Sequence, residues 1–262
     1  MKKLIFILFL FSASLNAQIL RTNPFYLPSV ASETPEGTTL TDGLLVYYNL
    51  DENGLTFDDE VGTNDATGVS VSQNTTYKIL GSSQGFDDNE DYIYFPSAGT
   101  TPDNDKITLS AWVRMSTMPS TLGHASVITL GATSTGGYRN LVLYIDTDNK
   151  PVFLVTNTTN TDYTVTGSGA LSVNTLYHIV GICRGNGQTL QIYVNNSDVS
   201  SSAGTFSGTG FYGDRTNVVI GNGGTPGTEA VIGIIDEFGL WDRSVSVDSL
   251  WNGGSGITHP FQ

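Results

Sequence analysis

Apolar and polar residues alternate with a period of two along much of the chain, and this pattern restricts the fold more than any other feature. In one segment, apolar side chains take every second position from Ile107 to Met115, with Thr, Ser, Trp and Arg between them. A second segment alternates in the same way from Leu190 to Asn195. Successive side chains of a strand point to opposite faces, so the pattern predicts β-strands that each bury one face.

Other segments extend this prediction to the whole domain. The runs Leu141–Ile145 and Pro151–Val155 flank a polar turn, which predicts a hairpin. The run Tyr177–Cys183 is apolar on both faces, which predicts a central strand. Only Ser246–Trp251 looks helical, because it begins with a capping serine and ends before two glycines. We therefore predict an all-β fold, a two-sheet antiparallel β-sandwich or jelly roll, with one short C-terminal helical turn.

The charge balance limits the partners. Acidic residues outnumber basic ones by 25 to 11, giving a formal net charge of −14. Such a chain repels phosphate backbones, so we expect no nucleic-acid partner. The acidity itself has two interpretations, general solubility or oxygen-rich sites for divalent cations. The single cysteine, Cys183, allows no intrachain disulfide, and its apolar strand predicts an inert thiol.

The N-terminus predicts export. Lys2 and Lys3 precede a short apolar run, Leu4–Phe11, and small or polar residues follow as far as Ala17. This order is typical of a secretory signal peptide, here residues 1–17, and the apolar run is too short to span a bilayer. We expect a periplasmic, cell-surface or secreted protein.

The rest of the chain divides into an arm and a domain. Residues 18–41 contain three prolines and no clear period, which predicts a linker or an N-terminal arm laid on the domain. The periodic region gives a β-sandwich domain over residues 42–262. No further apolar stretch reaches the roughly 18 residues that a membrane helix needs, so we expect no membrane span in the mature protein.

Seven segments in order along residues 42–262 carry a family resemblance: Gly43–Asn53, Gly85–Ile93, Leu109–Val113, Leu176–Val180, Ile192–Asn195, Ile235–Arg243 and Leu250–Gly254. Together they resemble the concanavalin A-like lectin/glucanase superfamily, specifically its laminin G-like domains, although the second and fifth segments lack a glycine usual in that family. The resemblance implies a two-sheet jelly roll, often with one structural calcium. It leaves the ligand open, because such domains serve lectins, adhesins, enzyme accessory modules and phage or surface proteins.

The sequence predicts no catalytic activity. Glucanases of this superfamily carry two carboxylates on one strand, spaced Glu-x-Asp-x-Glu or one residue wider. None of the seven glutamates here has a second one at that spacing with an aspartate between them. The histidines, His124, His178 and His259, lack the spacing of a zinc site, and we expect His178 to be a satisfied polar group of the core.

Asp236 is the candidate metal ligand. By alternation it shares a strand face with Ile234, Phe238 and Leu240, which places a carboxylate on a buried face. Burial without a partner is costly, so either calcium or several protein donors, such as backbone amides or a tyrosine hydroxyl, must satisfy it. By resemblance to the family, Asp51 beside the opening strand is the expected second ligand of a structural calcium.

A second acidic segment runs from Asp87 to Asp91. It is not an EF-hand, because it lacks the glycine and the distal glutamate at the required offsets. Asp91 alternates with Ile93 and Phe95, which predicts that its carboxylate also lies on a buried face.

Two glycine-rich loops hold the candidate sugar-binding residues: Tyr138, Arg139, Tyr212, Asp214 and Arg215. Tyrosine rings stack on the apolar faces of sugars, while arginine and aspartate reach hydroxyl groups. The alternative is that these aromatic residues anchor their loops against the sheet. Trp112, opposite the aliphatic face of its strand, either floors an open groove or is covered.

Two classes of function fit these features, with a third less favoured. The first is an exported, non-enzymatic carbohydrate-binding or adhesion domain, with a glycan or cell-surface polysaccharide as partner. The second is a structural or interaction module of a surface layer, virion or tail assembly without glycan binding. The third, which fits less well, is an accessory domain in glycan degradation.

Overall fold

Two antiparallel β-sheets stack face to face in the computed structural model, which describes residues 39–96, 104–119, 123–131, 140–212, 217–223 and 229–261. All of these residues belong to one compact unit, Pro35–Gln262. The predicted all-β, two-sheet antiparallel sandwich with one short C-terminal helix is confirmed. Some predictions concern residues outside the described ranges: Tyr138, Arg139, Asp214, Arg215 and residues 1–38.

Sheet A has eight strands: β1 (Leu44–Tyr48), β4 (Ser72–Asn74), β5 (Ser83–Phe86), β7 (Lys106–Thr117), β12 (Leu176–Arg184), β13 (Gln191–Val194), β14 (Ser197–Asp198) and β17 (Ile232–Trp241). Their order across the sheet is β14-β13-β12-β7-β17-β5-β4, and β1 also pairs with β17. The first and the last long strands of the domain are therefore neighbours.

Sheet B has nine strands: β2 (Thr56–Phe57), β3 (Ala66–Val69), β6 (Tyr92–Pro96), β8 (His124–Leu130), β9 (Leu141–Asp146), β10 (Pro151–Thr156), β11 (Asp162–Gly167), β15 (Ser200–Ser201) and β16 (Asn217–Ile220). Their order is β15-β11-β10-β9-β8-β16-β6-β3-β2. The predicted hairpin is confirmed as β9 and β10, whose turn places Asn149 at a positive φ of 63°.

The core between the sheets follows the predicted alternation. The apolar positions of β7, every second residue from Ile107 to Met115, are at most 2% exposed and pack in the core. The predicted central strand Tyr177–Cys183 lies in β12, between β7 and β13. Burial raises the pKa of the Cys183 thiol to about 12, which agrees with the predicted inert thiol.

The C-terminal segment covers the outer face of sheet A. Helix α1 (Val247–Trp251) begins after the capping residue Ser246, as predicted, and a 3-10 turn follows over Asn252–Gly254. Val247 and Leu250 of α1 pack with Trp241 in a second apolar cluster, outside the main core. No helix among the described residues is long and apolar enough to cross a membrane.

Candidate functional site

A β-bulge in β17 decides where the predicted metal ligand lies. The register of β17 against β7 shifts directly after Asp236, and Glu237 has a positive φ of 49°. Ile235 on one side of the bulge faces the core, and Phe238 and Leu240 on the other side also face it. Asp236 therefore lies on the outer face of sheet A. The prediction that it shares a face with Phe238 and Leu240 is wrong, because the bulge adds a residue to the alternation.

Asp236 is nevertheless buried, with 1% of its surface exposed. Its Oδ2 accepts a hydrogen bond from the backbone N–H of Ile79, at 2.7 Å, in the loop between β4 and β5. Its Oδ1 is buried and has no partner. The pKa of the Asp236 carboxyl is raised to about 8, mainly by burial, with the charge of Asp51 acting in the same direction. One oxygen of this side chain is thus satisfied by protein and the other is not.

Glu237 lies beside it, 3% exposed. The Tyr47 hydroxyl donates to Oε2 of Glu237 and also lies 2.7 Å from the carbonyl oxygen of Ile257 in the C-terminal segment. Oε1 is buried without a partner. Burial raises the pKa of Glu237 to about 9, and the charges of Asp236 and Asp51 act in the same direction.

Asp51 completes this group, which we call the carboxylate cluster (Asp51, Asp236 and Glu237). The backbone N–H of Ser82 donates to Oδ1 of Asp51. Gly81 packs so closely on this carboxylate that a Cβ there would lie 2.0 Å from an Asp51 oxygen, and its φ is +43°. Asp51 therefore lies close enough to Asp236 for its charge to act on that carboxyl, beside a loop that tolerates only glycine at position 81.

The carboxylate cluster offers the type of ligand that a hard divalent cation selects, but its three side chains do not place one oxygen each within 4.8 Å of the others. Its three side chains offer only oxygen, and two buried oxygens have no partner. Within the described residues, none of the ion pairs joins a lysine or arginine to these three carboxylates. Calcium takes oxygen ligands from carboxylates and backbone carbonyls, and its charge would offset the mutual repulsion of the cluster.

A second acidic group lies in the loop between β5 and β6. Carboxylate oxygens of Asp87, Asp88 and Asp91 lie within 4.8 Å of one another, and this is the one such group of three in the part of the chain that the structure describes. Asp91 is 1% exposed, as its alternation predicted, while Asp87 and Asp88 are exposed.

The outer face of sheet A offers no open groove around Trp112. This side chain is 4% exposed and packs against both His178 and Trp251, with ring centroids 4.9 Å and 5.2 Å away, and those two rings also stack on each other at 5.9 Å. The covered alternative for Trp112 is therefore confirmed, and the cover is helix α1. His178 is buried with its Nε2 2.8 Å from the Ser110 hydroxyl, but its Nδ1 is buried without a partner, so the prediction of a satisfied polar group holds for one ring nitrogen and not for the other.

Of the candidate sugar-binding residues, the structure describes Tyr212. It is half-buried, and its backbone N–H donates to the carbonyl oxygen of Thr156, at 3.0 Å, where β10 ends. Its neighbour Phe211 is 5% exposed and packs on Phe206, so this aromatic residue anchors the loop. The other four candidates lie outside the described residues: Tyr138, Arg139, Asp214 and Arg215.

The chain neighbours of those four residues meet at one end of sheet B. Leu130, the last residue of β8, pairs with Leu141 at the start of β9 and with Val218 near the start of β16. Asn140, which follows Tyr138 and Arg139, donates its N–H to Leu130 at 3.0 Å and accepts from the N–H of Thr156 at 2.8 Å. We call this the Tyr212 end of sheet B, because Tyr212 also bonds to Thr156 there.

One exposed aromatic ring lies on the outer face of sheet B beside this end. Tyr94 is 40% exposed and pairs with Val219 of β16, which pairs with Thr129 of β8. At the Tyr212 end, Thr129 lies one residue inside the end of its strand, and Val219 and Tyr94 lie two residues inside theirs. Sequence reasoning did not single out Tyr94, although its alternation with the buried Ile93 and Phe95 was a usable signal.

Comparison with known proteins agrees with this architecture. A family model described as the concanavalin A-like lectin/glucanases superfamily matches residues 87–250. A search of curated proteins finds no match.

Several solved structures share the fold. A sialidase from Trypanosoma rangeli, in complex with the inhibitor DANA, superposes with a TM-score of 0.56 at 19% identity, covering 77% of this chain and 31% of that one. The binding domain of Paraclostridial Mosquitocidal Protein 1 gives 0.60 at 14% identity, with 79% and 50% covered. The binding domain of botulinum neurotoxin serotype D gives 0.61 at 12% identity, with 81% and 52% covered. The chain thus spans about a third of the sialidase and about half of each toxin domain.

Proposed function

The chain belongs to the concanavalin A-like lectin/glucanase superfamily, and from this membership we propose that it is an exported, non-enzymatic carbohydrate-binding or adhesion domain. The proposed site is the Tyr212 end of sheet B, with Tyr138, Arg139, Tyr212, Asp214 and Arg215 as ligand-binding residues. The observation that carries the proposal is the convergence of their described chain neighbours at this end, beside an exposed aromatic ring.

The chemistry of this end suits a sugar. Tyrosine rings present flat apolar surfaces, and the arginine and aspartate side chains supply hydrogen bonds to hydroxyl groups. The net charge of −14 opposes anionic ligands, so a neutral glycan is the proposed partner. Two of the similar structures are toxin binding domains, which supports a binding role.

The carboxylates support a domain without hydrolytic activity. Glycosidases place two carboxyl groups on either side of the scissile bond, roughly 5–10 Å apart. Asp236 and Glu237 are adjacent in one strand and at most 3% exposed, so a sugar ring cannot lie between them. We propose instead that they serve a structural calcium, with Asp51 and Asp236 as ligands.

Export is the remaining part of the proposal, and it rests on the N-terminal signal sequence. We expect the mature protein to begin near Gln18. Intact-mass measurement of protein recovered from periplasm or medium tests this, and retention of residues 1–17 would contradict it.

Glycan-array binding by the purified mature protein tests the binding function. We expect binding to neutral glycans, weakened at least about tenfold by Tyr212→Ala or Tyr94→Ala, because each removes a stacking ring. Tyr77→Ala is the matched control, since Tyr77 is an exposed tyrosine, 47% against 40% for Tyr94, on the side of sheet A. An array without binding would favour the structural module instead, and binding unaffected by both variants would show that the glycan site lies away from the Tyr212 end.

A further inference from the structure

One of the loops that pass from sheet A to sheet B contains a buried carboxylate oxygen without a partner. It runs from Asp87 to Asp91, between β5 of sheet A and β6 of sheet B. Oδ2 of Asp91 accepts hydrogen bonds from the backbone N–H groups of Asp87 at 2.6 Å and Asp88 at 3.2 Å. Oδ1 of Asp91 is buried and has no partner, although buried acceptors are nearly always satisfied.

A second buried side chain, on another segment, contacts this loop. Asn222 follows β16 and is 1% exposed. Its Nδ2 donates to the carbonyl oxygen of Asn89, at 3.0 Å, in the middle of the loop, which fixes which end of the amide is oxygen. The other end, Oδ1 of Asn222, is buried without a partner.

The unpaired Oδ1 of Asp91 belongs to a group of three carboxylates, of which Asp87 and Asp88 are exposed. Carboxylate oxygens of Asp87, Asp88 and Asp91 approach within 4.8 Å of one another. Within the described residues, the lysine and arginine ion pairs are made to Asp148 and Asp242, not to this loop. Three mutually repelling carboxylates and a buried amide oxygen form an oxygen-only donor set, which is what hard divalent cations select.

We propose that Asp87, Asp88, Asp91 and Asn222 form a second divalent-cation site, of the calcium class, separate from the carboxylate cluster. Asp87 and Asp88 supply exposed carboxylates, and Asp91 and Asn222 supply the buried, unpaired oxygens. Water completes the coordination on the exposed side. The ion ties the crossover between the sheets to the segment after β16, so it fixes β6, the strand that carries Tyr94.

Calorimetric titration of the metal-free chain with calcium chloride tests this site. The double variant Asp87→Asn/Asp88→Asn keeps the shape of both side chains but removes two charges, and both residues are exposed, so folding is preserved. We expect it to lose one calcium equivalent, or to bind that equivalent at least about tenfold more weakly. Asn222→Ala is expected to weaken the same equivalent, because it removes a neutral ligand.

Asp58→Asn/Asp148→Asn is the charge-matched control, since both residues are exposed aspartates elsewhere. It should keep the affinity and number of sites of the parent chain. Asp236→Asn distinguishes the two sites, because it removes the equivalent at the carboxylate cluster and leaves the one at Asp87 and Asp88. Equal calcium binding by Asp87→Asn/Asp88→Asn and the control would overturn the proposal.

Discussion

The outer faces of the two sheets differ in how far their aromatic residues are exposed. On sheet A, the outward residues are sealed: Trp112 is 4% exposed, His178 is 1% exposed, and helix α1 packs over them. On sheet B, the outward Tyr94 is 40% exposed beside the Tyr212 end. Both faces carry aromatic residues, so exposure depends on what covers a face and not on its own sequence. Sheet A is covered around Trp112, whereas the outer face of sheet B is open at Tyr94 but buried at the neighbouring outward residues Thr129 and Val142.

Trp112→Ala tests the sealed face and should have the largest effect. It removes a buried ring that packs against His178 and Trp251 and leaves a cavity, so we expect a loss of about 3–5 kcal/mol in unfolding free energy. Denaturant unfolding measures this, and glycan binding should persist under conditions where the variant is folded. A loss below that of Tyr94→Ala would show that the face of sheet A is not sealed by packing.

The stability of the packing around Trp112 depends on pH through the protonation of His178. Burial lowers the pKa of its imidazole from 6.5 to about 4. The stability that depends on neutral His178 is present above pH 6.5 and is lost as the pH falls through 4, because the unfolded chain binds the proton first.

At about 1.4 kcal/mol per pKa unit, the wild type should lose up to about 3 kcal/mol relative to His178→Gln between these pH values. Both chains carry the same carboxylates, so their difference isolates the imidazole. If the unfolding free energies of the wild type and His178→Gln changed equally between pH 6.5 and 4, the lowered pKa of His178 would be contradicted.

Asp236 of the carboxylate cluster lies on the same outer face of sheet A as Trp112. The effect of calcium on stability tests whether the cluster binds a metal ion. A calcium ion that binds only the folded protein stabilises that state by about 2.7 kcal/mol when the free calcium concentration is a hundredfold above the dissociation constant. In the Asp87→Asn/Asp88→Asn background, we expect calcium to raise the melting temperature, and adding Asp236→Asn to abolish that rise. Asp148→Asn, at an exposed site, is the control. An unchanged melting curve with calcium or chelator would show that protein donors alone hold Asp236.

The smallest expected change in unfolding free energy concerns two exposed tyrosines, Tyr94 and Tyr77. Tyr94→Ala should change the unfolding free energy by no more than about 0.5 kcal/mol, because its ring is largely in solvent. Tyr77→Ala should cost somewhat more, about 0.5–1 kcal/mol, since the Arg114 guanidinium lies 3.8 Å from its ring centroid. The reverse order would mean that the face of sheet B is the more tightly packed one.

Several features could be predicted from the sequence because they depend on local order. The alternation from Ile107 to Met115 identified the core face, and the capping Ser246 marked the start of the helix. The inert Cys183 and the packed His178 followed from their places in an apolar strand. Strand periodicity and helix caps involve residues a few positions apart, so they are visible without a structure.

The two candidate metal sites depend on contacts between residues far apart in the chain, which the local sequence pattern does not predict. The bulge at Glu237 turned Asp236 to the outer face, and a non-glycine residue at positive φ leaves no mark in the apolar pattern. Asn222 reaches Asn89, 133 residues away in sequence, only because β16 and β6 are neighbours.

What the sequence by itself determined is therefore the class of fold and the face of each long strand that meets the core. Only the tertiary structure decided which outer face is covered, which carboxylates meet, and which loops share an end of sheet B. The physical reason is that burying one face of a strand is a property of the strand, whereas covering the other face, or pairing a buried oxygen, requires a partner from a distant part of the chain.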